Sequence, residues 1–176
     1  MRQSLIELVA SHSPFDELEK THTSRTLQFL ERNDVCTSTA NQSGHITASA
    51  WVLSADKSET LLTHHRKLNR WLQLGGHIEN DSSIQEAALR EAREESGITQ
   101  LSLVNDAIFD IDVHQIPARR DVAAHYHYDL RFLIEANSAD FIKSAESNEL
   151  AWINLTKVAE LVDDESVLRM CRKTIQ

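Results

Sequence analysis

The chain reads as a mixed α/β domain of the α+β class, and three features carry that reading. Segments that alternate apolar and polar side chains stand on both sides of one well-capped helix, further helical periodicity lies at the two ends, and no internal repeat or low-complexity tract divides the 176 residues. That length suits one domain able to bury most of the apolar surface its unfolded form exposes.

Taken in order, Ser13 is placed as an N-cap with Pro14 at the first helical position, and Phe15, Leu18, Leu27 and Leu30 predict a helix over residues 14–32. A polar stretch ends at Gly44. "HITASAWVLS" and "TLLTHHR" then read as strands around the turn "SADKSE", and "KLNRWLQLGGHIEND" reads as a loop. Ser83-Ile84-Gln85-Glu86 has the form of a capping box and Gly97 stands where a left-handed C-cap falls, so a helix runs from about Ile84 to Ser96. After it come "LSLVNDAIFDIDVHQI", the loop "PARRDVA", the strand "AHYHYDLRFLIEA", a short strand near "LAWINL", and a terminal helix from about Lys157 to Arg172.

Composition excludes some functions. A formal net charge of -9 argues against a nucleic-acid binder, whose affinity needs a basic footprint on phosphates. No apolar run is long enough for a membrane span, and the first residues have no secretory pattern. The expected setting is cytoplasmic, with Cys36 and Cys171 as free thiols.

The central helix is unusually charged. With Ile84 at zero and a step of about 100°, Ala87, Ala88 and Ala92 fall at roughly 300°, 40° and 80°, and Glu91, Glu94 and Glu95 at roughly 340°, 280° and 20°. Three carboxylates therefore share the apolar sector, where like-charge repulsion and desolvation both disfavour them. Arg90 offsets one; a hard divalent ion, Mg²⁺ or Mn²⁺, would offset all three.

"GHIENDSSIQEAALREAREESGI", Gly76 to Ile98, resembles the Nudix box: a glycine, five residues, a glutamate, seven residues, then Arg-Glu-apolar-x-Glu-Glu-x-Gly-apolar. Gly76, Arg90, Glu91, Ala92, Glu94, Glu95, Gly97 and Ile98 match at that spacing. The first glutamate is replaced by Ser82, and Glu86, one turn before Arg90, is the residue expected to take over as the arginine's partner. The likeness extends to a bacterial subgroup with a similar Gly-Gly-His loop, a His-x-His-x-Asp strand and an N-terminal helical extension. It implies a Nudix-like α/β/α sandwich with a mixed sheet over 44–176, with residues 1–43 as a helical extension packed on the core. It also implies Glu91, Glu94 and Glu95 as metal ligands with the Gly75 carbonyl, Mg²⁺ or Mn²⁺ as cofactor, and Glu94, Glu95 and Arg90 as catalytic residues.

The implied function is a metal-dependent pyrophosphohydrolase that cleaves the diphosphate linkage of a nucleoside diphosphate joined to another moiety. Its partner is thus a small phosphorylated nucleotide derivative, without nucleic acid or membrane, and a homodimer is among the forms allowed. Hydrolysis needs a base to deprotonate water; Glu94 or Glu95 suits it, ahead of Glu146 and Glu149. Arg66, Lys67, Arg70, Arg119 and Arg120 are candidates for holding phosphate, for which an arginine fork is well shaped.

Alternation in "AHYHYDLRFLI" puts Tyr126, Tyr128, Leu130, Phe132 and Ile134 on a core face and His125, His127, Asp129 and Arg131 on the other. "FDIDVH" repeats the pattern with Asp110, Asp112 and His114. If these strands pair, they collect His114, His125, His127 and Asp129, with His77 facing the same cleft and Glu146 nearby, as an additional metal- or substrate-binding group. Two other functions compete. One is a ligand-sensing or adaptor module without catalysis, suggested by Ser82. The other is an isomerase like the isopentenyl diphosphate isomerases, whose Cys-Gly-His segment corresponds to "GGH"; His77 matches, but Gly75 replaces the catalytic cysteine.

Overall fold

The computed structural model describes residues 1–66, 68–118, 122–142 and 147–176. Its organising strand is β1 (Gly44–Leu53), buried along its whole length. β1 runs parallel to β7 (His125–Ala136) over ten paired positions, from Gly44 opposite Tyr126 to Leu53 opposite Glu135. The other edge of β1 is shared: β4 (Leu74–His77) pairs antiparallel with its middle, from Thr47 to Ala50, and β2 (Glu59–His65) joins at Leu53. The far edge of β7 is divided likewise between β6 (Asp110–Ile116) and β5 (Leu101–Leu103). β3 (Arg70–Leu72) and β8 (Ser147–Asn154) complete the mixed sheet on β2.

Helices cover both faces, which is why β1 reads as buried throughout. On one face Ile46, Ala48, Ala50 and Val52 of β1 and Leu130, Phe132 and Ile134 of β7 meet α3 (Ile84–Ser96) through Ala87, Ala88 and Ala92. α1 (Arg2–Ala10) and α2 (Glu17–Arg32) join the same core with Leu5, Val9, Phe29 and Leu30, and Phe29 stacks on Tyr128 at 4.1 Å between centroids. On the opposite face Trp51, Leu53 and Leu62 meet Val158 of α4 (Val158–Leu161) and Val167, Met170 and Cys171 of α5 (Glu165–Ile175). The alternation in β1 and β7 therefore separates two packed layers. Among the described residues, no helix is long and apolar enough to cross a membrane.

Several boundaries differ from the sequence reading. The expected helix over 14–32 begins later, because Asp16 and not Ser13 is the cap, accepting from the Glu19 amide. α1 lies within the stretch 1–43 expected as a helical extension, ahead of the one helix that the periodicity there predicts. "KLNRWLQLGGHIEND" supplies two short strands: Gly75 adopts φ +151°, and a Cβ there would lie 2.6 Å from Ser49 Cα, so only glycine lets β4 approach β1 so closely. The terminal helix is interrupted at 162–164 and restarts with Asp164 as cap of α5. α3 is as expected: Ser83 accepts from the Glu86 amide, and Gly97 closes the helix at φ +69°.

Candidate functional site

α3 carries its carboxylates along the edge that faces β4. Glu91 lies directly beneath the glycine pair: a Cβ on Gly76 would stand 2.6 Å from the Glu91 carboxyl carbon. Burial pushes the Glu91 carboxyl up, the neighbouring Glu94 and Glu79 charges add to the rise, and Arg90 opposes it. Only part of the expected inward placement holds. Glu91 is 15 % exposed in its side chain but Glu94 is 61 % exposed, so the glutamates run from the helix–sheet junction out to the rim.

Arg90 organises this edge. It donates through Nε and Nη2 to both oxygens of Asp81, at 2.9 and 3.0 Å, and through Nη2 to the His77 carbonyl at 2.8 Å. Its Nη1 reaches Glu91 Oε1 at 3.0 Å and Glu94 Oε2 at 3.3 Å. The expected partner Glu86 is not used. It turns back to accept from the Ser82 amide and hydroxyl, because the capping box holds it at the start of the helix. The carboxylate lost at Ser82 thus reappears one position earlier at Asp81, whose fork on Arg90 holds it below the ordinary aspartate value.

The oxygen-rich set fits a hard divalent ion. Asp81, Glu91 and Glu94 all pair with Arg90, the Glu79 charge lies close enough to act on Glu91, and the missing Cβ of Gly76 leaves the Glu91 carboxylate room against β4. The expected phosphate contacts are scattered. Arg66 is exposed in the turn after β2, and Arg70 pairs with Asp164 at 3.6 Å. Lys67, Arg119, Arg120 and Glu146 lie outside the described residues. Glu149 is exposed on β8 opposite His64.

The second group assembles across four strands. β6 and β7 pair with His114 opposite His127, Asp112 opposite Asp129 and Asp110 opposite Arg131, so the two alternating segments meet as expected. His45, which the sequence reading left unassigned, sits on β1 opposite His127, and Thr47, two residues on, is opposite His77. Ring centroids of His45 lie 5.0 Å from His77, 5.2 Å from His125 and 4.7 Å from His127. His45 is 2 % exposed, and neither of its ring nitrogens has a hydrogen-bond partner. Orphaned polar atoms of this kind typically cost about 1–3 kcal/mol. Burial and the neighbouring imidazoles push His45 down to about 4 and His127 to about 3.

The remainder of this polar face is structural. Asp129 accepts from Thr47, Ser49, Gln73 and Arg131, and lies 2 % exposed. It is thus not part of the expected ligand group, because its lone pairs are taken. Arg131 also reaches Asp110 at 3.2 Å, and Arg169 of α5 forks onto Asp110 at 2.7 and 2.8 Å. Lys173 bridges Asp110 at 3.1 Å to Glu19 of α2 at 2.6 Å, while Glu19 accepts from the Ile111 amide on the sheet edge.

Residues 44–170 match the family model for the NUDIX domain. Among solved structures, the Ap4A hydrolase binary complex of C. elegans is similar at 21 % identity, covering 73 % of this chain and 93 % of that one, with a TM-score of 0.56. The dihydroneopterin triphosphate pyrophosphohydrolase of E. coli is similar at 17 % identity over 73 % of this chain and 92 % of that one, with a TM-score of 0.58. The MutT protein of Methanosarcina mazei Go1 is similar at 20 % identity over 78 % and 96 %, with a TM-score of 0.53. At these identities the likeness is one of fold. No curated protein matches the sequence.

Proposed function

The chain belongs to the Nudix family, and we propose that it is a divalent-metal-dependent hydrolase of a diphosphate linkage in a nucleoside diphosphate joined to another moiety. The observation that carries this reading is the carboxylate edge of α3, graded from buried Glu91 to exposed Glu94, under a glycine that leaves room for it. Glu91, Glu94 and Glu95, with the Gly75 carbonyl, would hold Mg²⁺ or Mn²⁺. When bound, such an ion supplies positive charge to phosphoryl oxygens and acidifies water.

The chain's own contribution is positioning and proton transfer. Arg90 pins the His77 carbonyl and the Asp81 loop to α3, which keeps β4 and the glutamates in register. Glu94, the more solvent-accessible carboxylate, accepts the proton of the attacking water; Glu91 stays in place against Gly76. The Asp81–Arg90 fork favours an intact catalytic edge over the non-catalytic sensor suggested by Ser82. Isomerase chemistry has less support, since the position of its cysteine is Gly75, where any Cβ meets the β1 backbone.

The test is to incubate the protein with Mg²⁺ or Mn²⁺ and nucleotide sugars, dinucleoside polyphosphates, ADP-ribose, NADH and nucleoside triphosphates, and to measure released phosphate products. Turnover of at least one diphosphate-linked member is expected. No turnover of any member by metal-loaded protein would favour the sensor instead.

A further inference from the structure

From the histidine group we infer a second metal site of different chemistry, in which His45, His77 and His127 bind a borderline transition-metal ion of the Zn²⁺ class. One ring nitrogen from each of these residues lies within 4.8 Å of the other two, and this is the only such group of His, Cys, Asp or Glu among the described residues. Three strands build it: β4 brings His77, β1 brings His45 and β7 brings His127, in the order in which the strands pair.

The environment selects the ion. Imidazole nitrogens suit Zn²⁺ and its neighbours, whereas Mg²⁺ demands oxygen. The nearby carboxylates are committed elsewhere, Asp129 to Thr47, Ser49 and Arg131, and Asp112 to His114 and Arg131. At a Zn–N distance of about 2.0–2.1 Å, tetrahedral ligand nitrogens stand about 3.3 Å apart, so the rings need close by no more than about 1.5 Å. His45 explains itself in the same way: a buried imidazole with neither nitrogen bonded has a lone pair to offer.

The site is graded like a catalytic one. His45 is buried, His127 half-buried and His77 exposed, so an ion there faces solvent on the His77 side. Three protein ligands leave a position for water or an anionic substrate oxygen. The two sites meet at one residue, since the His77 backbone carbonyl accepts from Arg90 of the glutamate edge while its ring joins the histidines.

Binding is read without turnover, so the result is independent of the hydrolase reading. Chelator-treated full-length protein is dialysed against Zn²⁺ in an excess of Mg²⁺, its metal content is measured by elemental mass spectrometry, and affinity is measured by competition with a chromophoric chelator. One equivalent of Zn²⁺ that Mg²⁺ does not displace is expected, unchanged in Glu94→Gln. Loss of even an outer-shell partner weakens metal sites about 10–100-fold, so His77→Ala and His127→Ala should each weaken binding by at least about 100-fold. His45→Ala would empty a core position, and the exposed His77→Ala, its fold checked by circular dichroism, therefore carries the test. Wild-type protein that takes up no Zn²⁺, or His77→Ala and His127→Ala proteins that bind it as tightly as wild type, would overturn the assignment.

Discussion

Two charged regions of this molecule are built from the same residue types and end in opposite states. Behind β6 and β7, Glu19, Asp110, Asp112 and Asp129 interleave with Arg131, Arg169 and Lys173, and nearly every atom is matched within a closed, dry network. Along α3, Glu79, Asp81, Glu91 and Glu94 have, among the described residues, ion pairs to Arg90 alone, and the row opens to solvent. Complete compensation makes the first region a fastener between α2, the sheet and α5. Incomplete compensation makes the second a place for a cation.

That contrast is broken most severely by removing a cation from the closed network. Arg131→Met removes a cation shared by three aspartates and leaves Asp129 without its ion pair, and breaking a buried pair in this way costs about 3–5 kcal/mol; urea unfolding measures it, and a loss below about 1 kcal/mol would show that the network is not the fastener. The network should also be acid-labile. Burial raises the Glu19 carboxyl, but hydrogen bonds from His12 and Lys173 outweigh it and hold it down to about 2, against an ordinary 4.5. Its folded value being depressed, its contribution, on the order of 3 kcal/mol, is present above about pH 4.5 and fades as pH falls towards 2. Glu19→Gln should flatten that part of the stability–pH curve; an unaltered slope would contradict the assignment.

Smaller effects belong to the open region. Gly75→Ala forces a side chain onto the β1 backbone and should cost about 1–3 kcal/mol in the same unfolding assay. Asp81→Asn should cost only about 1 kcal/mol, since Arg90 remains partly solvated and keeps other acceptors. Its larger consequence is catalytic, a fall in kcat/KM that Ser82→Glu in the same chain should partly restore. Failure of that rescue would separate Asp81 from the role of the missing box glutamate.

The sequence carried α3 almost to the residue, because its cap, its stripe and its terminal glycine are all local signals. The register of β6 on β7 was legible too, as two matching alternations separated by a loop. His45 was not. It stands in the alternation His45, Thr47, Ser49, but its meaning depends on a parallel pairing with His127, 82 positions away, that no short-range pattern encodes. Asp81 was missed for a different reason: Glu86 has the better helical spacing to Arg90, and only the loop's path brings Asp81 into the fork. Two adjacent glycines signal a turn by sequence, whereas in β4 they permit close strand packing.

The contrast between a closed and an open charge cluster is tested most directly at Glu94. Using whichever diphosphate substrate the protein turns over with Mg²⁺, steady-state rates of wild type and Glu94→Gln are compared alongside their unfolding midpoints. A rate lower by about 10²–10⁴-fold is expected, as for loss of a general base, with stability unchanged or slightly raised as repulsion on α3 is relieved. An undiminished rate would contradict that role.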